Sequence, residues 1–291
     1  MRGPEMTALA VRRPNGSIVV EKEQNSRLAA RYPILKLPII RGTFALLESL
    51  AVGIRMLNKS ANLSVDEAEE ELSAWDIIIT TLVAFALAIA LFVALPTAIV
   101  HWGRGYLGGV FAQNLYEGVI RIVLFLLYVY AISRMKDIKR VFMYHGAEHK
   151  TISTYEAGME LTPENVRLHS RFHPRCGTSF LLMVMIISII VFAFLGDGSL
   201  FYRIWSRLAV FPVVAGLGYE VIKFSGRCAD QPWARWLIAP GLWLQRLTTR
   251  EPDTEMLEVA ITSLRTVLAE VDQPEKANAI MKKLSQAATL G

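Results

Sequence analysis

Four of the five histidines in this chain lie between positions 145 and 173, and they come in pairs spaced one helical turn apart. The first pair sits in His145-Gly146-Ala147-Glu148-His149-Lys150. At about 100° per residue a helix turns His145, Glu148 and His149 onto one face, and Glu156 returns to that face farther along. Two imidazoles so placed can grip one metal ion. H-x-x-E-H is the spacing in which two histidines bind zinc and the glutamate takes a proton from water. Glu148 is therefore the candidate catalytic base, and His145 and His149 are candidate metal ligands. The segment His169-Ser170-Arg171-Phe172-His173-Pro174-Arg175-Cys176-Gly177 brings a second histidine pair and a cysteine. Thr162-Pro163-Glu164 ahead of it reads as an N-cap with proline at the first helical position. A turn before this helix can fold it back on the preceding one, so that His173 or Cys176 supplies a third ligand, with Glu156 as a further candidate. Zinc accepts all three donor types, and a catalytic site keeps one position for water. The bland readings stand beside these: helical histidines that only hydrogen-bond at a surface, a small packing residue at Cys176, and a surface role for His169.

The elements that must position these residues are apolar and long. Of the 291 residues, 53% are hydrophobic, and the apolar side chains are concentrated in runs. Residues 77–95 and 177–195 carry no charge until their ends, and each run matches the ~20 residues needed to cross ~30 Å of hydrocarbon. Two weaker spans are expected at 117–133, interrupted by Arg121, and at 204–224, interrupted by Arg207, Glu220 and Lys223. The expected fold is mainly α, a multi-pass membrane protein of about four transmembrane helices with a small N-terminal β hairpin and cytosolic helices. Basic loops stay on the cytosolic side. The connection 134–175 carries Arg134, Lys136, Lys139, Arg140, Lys150, Arg167, Arg171 and Arg175, whereas 101–116 carries only Arg104. Both termini and the His-rich loop are therefore expected on the cytosolic side of the membrane, where Cys176 and Cys228 stay thiols or a metal thiolate. Nothing near Met1 reads as a cleaved secretion signal.

Five segments follow from this pattern. Residues 1–75 hold a hairpin around Pro14-Asn15-Gly16 and an amphipathic interfacial helix from 39 onward. Residues 76–133 hold two spans, joined by a glycine-containing outer connection at 97–111 that reads as an ordinary loop ahead of a re-entrant one. Residues 134–177 form the His-rich loop, with its first helix expected to continue out of the second span. Residues 178–225 hold two more spans, the last with Pro212, Gly216 and Gly218 at a kink or close contact. Residues 226–291 form cytosolic helices, one of them amphipathic after Pro252 and a short final one beyond Pro274. The acidic stretch 66–71 reads as a solvated helix face, and Glu220 with Lys223 as an intrahelical ion pair. The net charge of +5 is explained by loops beside anionic lipid without nucleic acid. Expected partners are the bilayer and either other membrane proteins or further copies of the chain.

Through His145 to Lys150 and His173-Pro174-Arg175-Cys176-Gly177-Thr178 the chain resembles the YqhQ family of bacterial membrane proteins. The resemblance extends over Met1-Arg2-Gly3-Pro4, Arg41-Gly42 with Glu48, and Gly218-Tyr219-Glu220. It continues through Pro240-Gly241-Leu242-Trp243-Leu244-Gln245 and Thr249-Arg250-Glu251-Pro252. It implies a metal-dependent enzyme, with His145, Glu148, His149, His173 and Cys176 at matching positions and His169 outside the pattern. Relatives usually carry a glycine-rich segment ahead of Met-Arg-Gly-Pro, so an upstream segment is expected. The leading expectation is a cytosol-facing zinc hydrolase acting on a peptide or lipid bond near the membrane surface. A non-enzymatic assembly or regulatory protein with a structural metal is the second reading, and an ion transporter the third. No phosphate-binding loop, nucleophile elbow or dinucleotide fingerprint is present.

Overall fold

The computed structural model describes residues 1–26, 28–64, 73–174, 176–227 and 231–271. Arg175, Cys228, the acidic stretch 66–71 and the short helix expected beyond Pro274 lie outside these residues. The chain opens with β1 (Met6–Arg12) and β2 (Ile18–Gln24), antiparallel with Met6 opposite Gln24 and Arg12 opposite Ile18. The turn is the one the Pro-Asn-Gly chemistry predicts. Gly16 takes φ 84°, and the Asn15 side chain accepts from the Ser17 amide. A short α1 (Leu28–Arg31) and a 3-10 turn lead into α2 (Ile40–Ser64).

The first long apolar helix is capped by Ser73, whose hydroxyl accepts from the Asp76 amide. It comprises α3 (Ala74–Ile89), one π turn (Ala90–Ala94) and α4 (Leu95–Gly103). The π turn has a local cause. Pro96 has no N–H to return to the carbonyl one turn before it, that of Phe92. That carbonyl is taken instead by Arg121 Nε at 2.8 Å, from α5 (Val110–Ile132). The helix therefore runs on past Leu95, and the connection expected over 97–111 shrinks to residues 104–109.

The helix α6 (Lys136–Glu156) is also separate from α5. Met135 is extended, and a turn at 133–135 breaks the continuity expected for the His-bearing helix. The small α7 (Pro163–Leu168) starts as expected, with Thr162 Oγ1 accepting from the Asn165 amide. Next come α8 (Gly177–Ala193), α9 (Leu200–Arg227), α10 (Pro232–Thr248) and α11 (Thr254–Val271).

Three helices, over Trp75–Gly103, Val110–Ile132 and Leu200–Phe224, are long and apolar enough to cross a membrane. With its 17 residues, α8 extends about 25 Å, somewhat less than the ~30 Å of a hydrocarbon core. The bundle is tied by packing between α5 and α8, α8 and α9, and α2 and α9. At the last contact a Cβ on Gly42 or Gly216 would collide with backbone, of Gly216 and Ile39 respectively, so glycine is required for the approach. Arg41 closes it with a two-pronged ion pair to Glu220. This corrects the expected Glu220 to Lys223 pair: Lys223 lies over the Tyr219 ring, and the partner of Glu220 is 179 residues away in sequence.

A second core lies at one end of the bundle. In α11, Leu257, Ala260, Ile261 and Leu264 form one buried stripe that packs against Ala147, Leu161 and Val166 of the α6 and α7 region. The hairpin caps α11 from the other side, with Ser263 Oγ donating to the Ala8 carbonyl.

Candidate metal centre

The site forms where α6 meets the N-terminus of α8 under the α10 to α11 connection. One pocket is lined by His145, Glu148, His149, Glu156, His173 and Cys176, together with Ile152 and Gly177. All six side chains singled out from sequence thus share it, although they come from two helices and the extended segment between them. His169 lies elsewhere, its Nδ1 3.1 Å from both Thr154 Oγ1 and the Asn165 carbonyl.

Each of the two helical histidines is held from behind. His145 Nδ1 donates to the Thr248 carbonyl at 2.9 Å, and His149 Nδ1 donates to the Arg171 carbonyl at 2.7 Å. A carbonyl can only accept, so Nδ1 of each ring carries a proton, and Nε2 is left to face Cys176 or an incoming ion. His145 Nε2 lies 3.2 Å from Cys176 Sγ, and the rings of His145 and His149 are 4.4 Å apart. One ligand atom each from His145, His149 and Cys176 falls within 4.8 Å of the others. Zinc bonds of about 2.0–2.3 Å in a tetrahedron place donors about 3.3–3.8 Å apart, so this donor set fits zinc with small adjustments.

His173 stands beside this group. Its ring is 5.8 Å from that of His149, and its Nε2 is 3.2 Å from Glu156 Oε2. The sequence allowed His173 or Cys176 as third ligand and the leading expectation took His173, whereas it is Cys176 whose ligand atom converges with the helical pair.

The electrostatics follow the geometry. Burial pushes the Cys176 thiol up, but hydrogen bonds from His145 and His149, the charge of His145 and the Thr178 side chain outweigh it and bring the thiol down to about 5. Cys176 is also the N-cap of α8, where the helix dipole favours a thiolate. Burial lowers His145, yet its contacts with Cys176, the Thr248 carbonyl and Glu148 raise it above the ordinary imidazole value.

Several positioning residues escaped the sequence reading. Gln245, fully buried on α10, accepts from the His173 amide, donates to the His173 carbonyl and also reaches Ser179 Oγ. It pins the segment that carries His173 and Cys176. Residues 248–251 act as a strap: Thr248 holds His145, the Thr249 carbonyl accepts from Arg171, the Arg250 amide donates to Phe142, and Glu251 pairs with Lys150 at 3.1 Å. Gly146 makes room for this strap, since a Cβ there would overlap the Arg250 carbonyl oxygen. Both segments belong to the motifs that carry the family resemblance, but nothing local in them reveals their partners.

A family model described as "Protein of unknown function (DUF1385)" matches residues 37–270, a stretch that includes every pocket residue. The "Uncharacterized protein YqhQ" of Bacillus subtilis (strain 168) is 35% identical over 272 residues, covering 89% of this chain and 86% of that protein. No solved structure matches the chain.

Proposed function

The chain belongs to the DUF1385 family, so its activity has to be read from its own residues, and we propose that it is a zinc-dependent membrane hydrolase centred on His145, His149 and Cys176. The observation that carries this reading is the convergence of these three ligand atoms, with both rings held from behind by backbone carbonyls. That second hydrogen bond is characteristic of metal-ligating histidines, because it fixes tautomer and ring orientation. Zinc bound there supplies Lewis acidity and a water nucleophile near neutral pH. Glu148 lines the open side of the pocket and takes the proton that water gives up. The pair of His173 and Glu156 sits at the pocket wall, where it can orient a polar group of the substrate or hand a proton to the leaving group.

The substrate in this reading is a peptide or lipid bond at the membrane surface, because Cys176 caps an apolar helix packed in the bundle. The basic residues around the site favour its facing the cytosol, with both termini on that side.

Elemental analysis of detergent-purified protein, with X-ray absorption at the metal edge, tests the proposal. We expect about one zinc per chain with three protein ligands and one light-atom neighbour. A His145→Ala, His149→Ala double variant loses the metal, whereas Glu148→Gln retains it and abolishes hydrolysis. Wild-type protein that stays metal-free after incubation with zinc sinks the reading.

The proximity of His173 to His149 favours a second reading, in which His173 closes the coordination shell of a structural zinc in an assembly or regulatory protein. Four protein ligands in the absorption spectrum would decide for it.

A further inference from the structure

Three guanidiniums are buried inside the apolar bundle, and their donors are satisfied unequally. Arg207 bonds Glu117 through both carboxylate oxygens, at 2.9 and 3.0 Å, and Asn114 at 2.7 Å. Arg121 bonds Glu117, Ser188 and the Phe92 carbonyl. Arg203 differs. It is 0% exposed, and its Nη2 reaches Gln113 at 2.6 Å and Asp197 at 2.7 Å, while Nε and Nη1 have no hydrogen-bond partner among the described residues.

An arginine offers five N–H donors, so three of them here lack an acceptor within a region of low dielectric. The charge count points the same way: among the described residues, Arg121, Arg203 and Arg207 face two carboxylates, Glu117 and the exposed Asp197. The helix α4 packs against α9, and on it Thr97 Oγ1 and His101 Nδ1 are likewise buried without a partner among the described residues. Buried donors left unpaired cost about 1–3 kcal/mol each, more when charged, so each calls for a physical reason, a bound water or ion among them.

We propose that the Arg203 end of the bundle, opposite the histidine and cysteine pocket, binds a phosphate-type anion that accepts from Arg203 Nε and Nη1. A phosphate oxygen pair matches the guanidinium fork and carries the negative charge the cluster lacks. The loop 194–199 leads from Asp197 at the surface to Arg203, so the anion arrives at headgroup level either as free phosphate or as the phosphate of a lipid.

The test uses the full chain, purified in detergent and stripped of lipid. Thermal unfolding is followed while inorganic phosphate is titrated at constant ionic strength, and native mass spectrometry follows added phosphatidylglycerol. Saturable stabilisation by inorganic phosphate assigns the free anion, whereas a retained phosphatidylglycerol adduct with no response to phosphate assigns the lipid. In either case Arg203→Lys weakens binding at least about tenfold, the loss of one charge-assisted hydrogen bond. Asp197→Asn, which removes a competing carboxylate from an exposed position, tightens it. Should Arg203→Lys fail to fold, Asp197→Asn decides alone, and unchanged or weaker affinity in that variant overturns the proposal. It is equally overturned if wild-type protein responds to neither ligand, or responds no more to phosphate than to chloride.

Discussion

The two polar regions of this molecule use the same kinds of side chain to opposite ends. In the bundle, Glu117 at 1% exposure is enclosed by Arg121 and Arg207, and the carboxylate spends its oxygens on guanidiniums that are themselves shut in against the Phe192 ring. In the pocket, His145 and His149 anchor their Nδ1 atoms on backbone carbonyls and face Cys176 beside an opening. The contrast separates polar groups that hold helices together from groups held so that something else can bind. It also marks Arg203 as the one bundle arginine whose state resembles the pocket more than its neighbours do.

The largest expected effect tests the closed half. Glu117→Ala leaves two buried guanidiniums without their shared carboxylate and should cost about 3–5 kcal/mol, read as a loss of unfolding free energy in detergent titrations. A loss below about 1 kcal/mol would mean that the network is hydrated and open, and the contrast would fail.

Next comes the support of the open half. Gly146→Ala pushes α6 off the strap and misplaces the Thr248 carbonyl behind His145, so zinc affinity should fall about 10–100-fold, measured by competition with a chromophoric chelator. Unchanged affinity would show that the strap does not position the ring.

The third effect is a pH profile. Because the thiol of Cys176 is brought down to about 5, it stays a thiolate as pH falls from neutral and becomes a thiol only below that value. Alkylation by iodoacetamide in metal-free protein, corrected against a Cys176→Ala variant, should therefore run nearly level between pH 8 and 6 and drop toward pH 5 (about these values, following the ionised fraction). Zinc should suppress it throughout. A rate that falls tenfold per pH unit from neutral would place the thiol in its ordinary range and remove the His145 contact as its cause.

The smallest effect lies at the edge of the bundle network. Ser188→Ala deletes one 3.3 Å contact to Arg121 and should cost about 0.5–1.5 kcal/mol in the same unfolding assay.

Much of the architecture was legible because its causes are local. Apolar runs announced the helices, although the uncharged run 177–195 gave the shorter α8 while the charge-interrupted runs gave two of the long ones; Pro14-Asn15-Gly16 announced the hairpin turn, and Thr162-Pro163 the start of α7. The i,i+4 spacing placed His145, Glu148 and His149 on one face before any fold was known. Legibility ended where partners are distant. Nothing near Glu220 pointed to Arg41, and nothing near Phe92 announced that Arg121 would meet its carbonyl. The continuation of the first helix through Pro96 depended on that same remote contact.

By itself, then, the sequence determined the helices, their apolar character and which side chains of metal-ligating type share a helix face, because periodicity and residue type act over a few neighbouring positions. Only the tertiary structure decided which of those side chains converge. Cys176 meets the helical histidines because Gln245, about seventy residues later in the chain, clamps the segment before it, while the Thr248 and Arg171 carbonyls orient the His145 and His149 rings. A side-chain hydrogen bond reaches about 3 Å in space and carries no record of that distance along the chain.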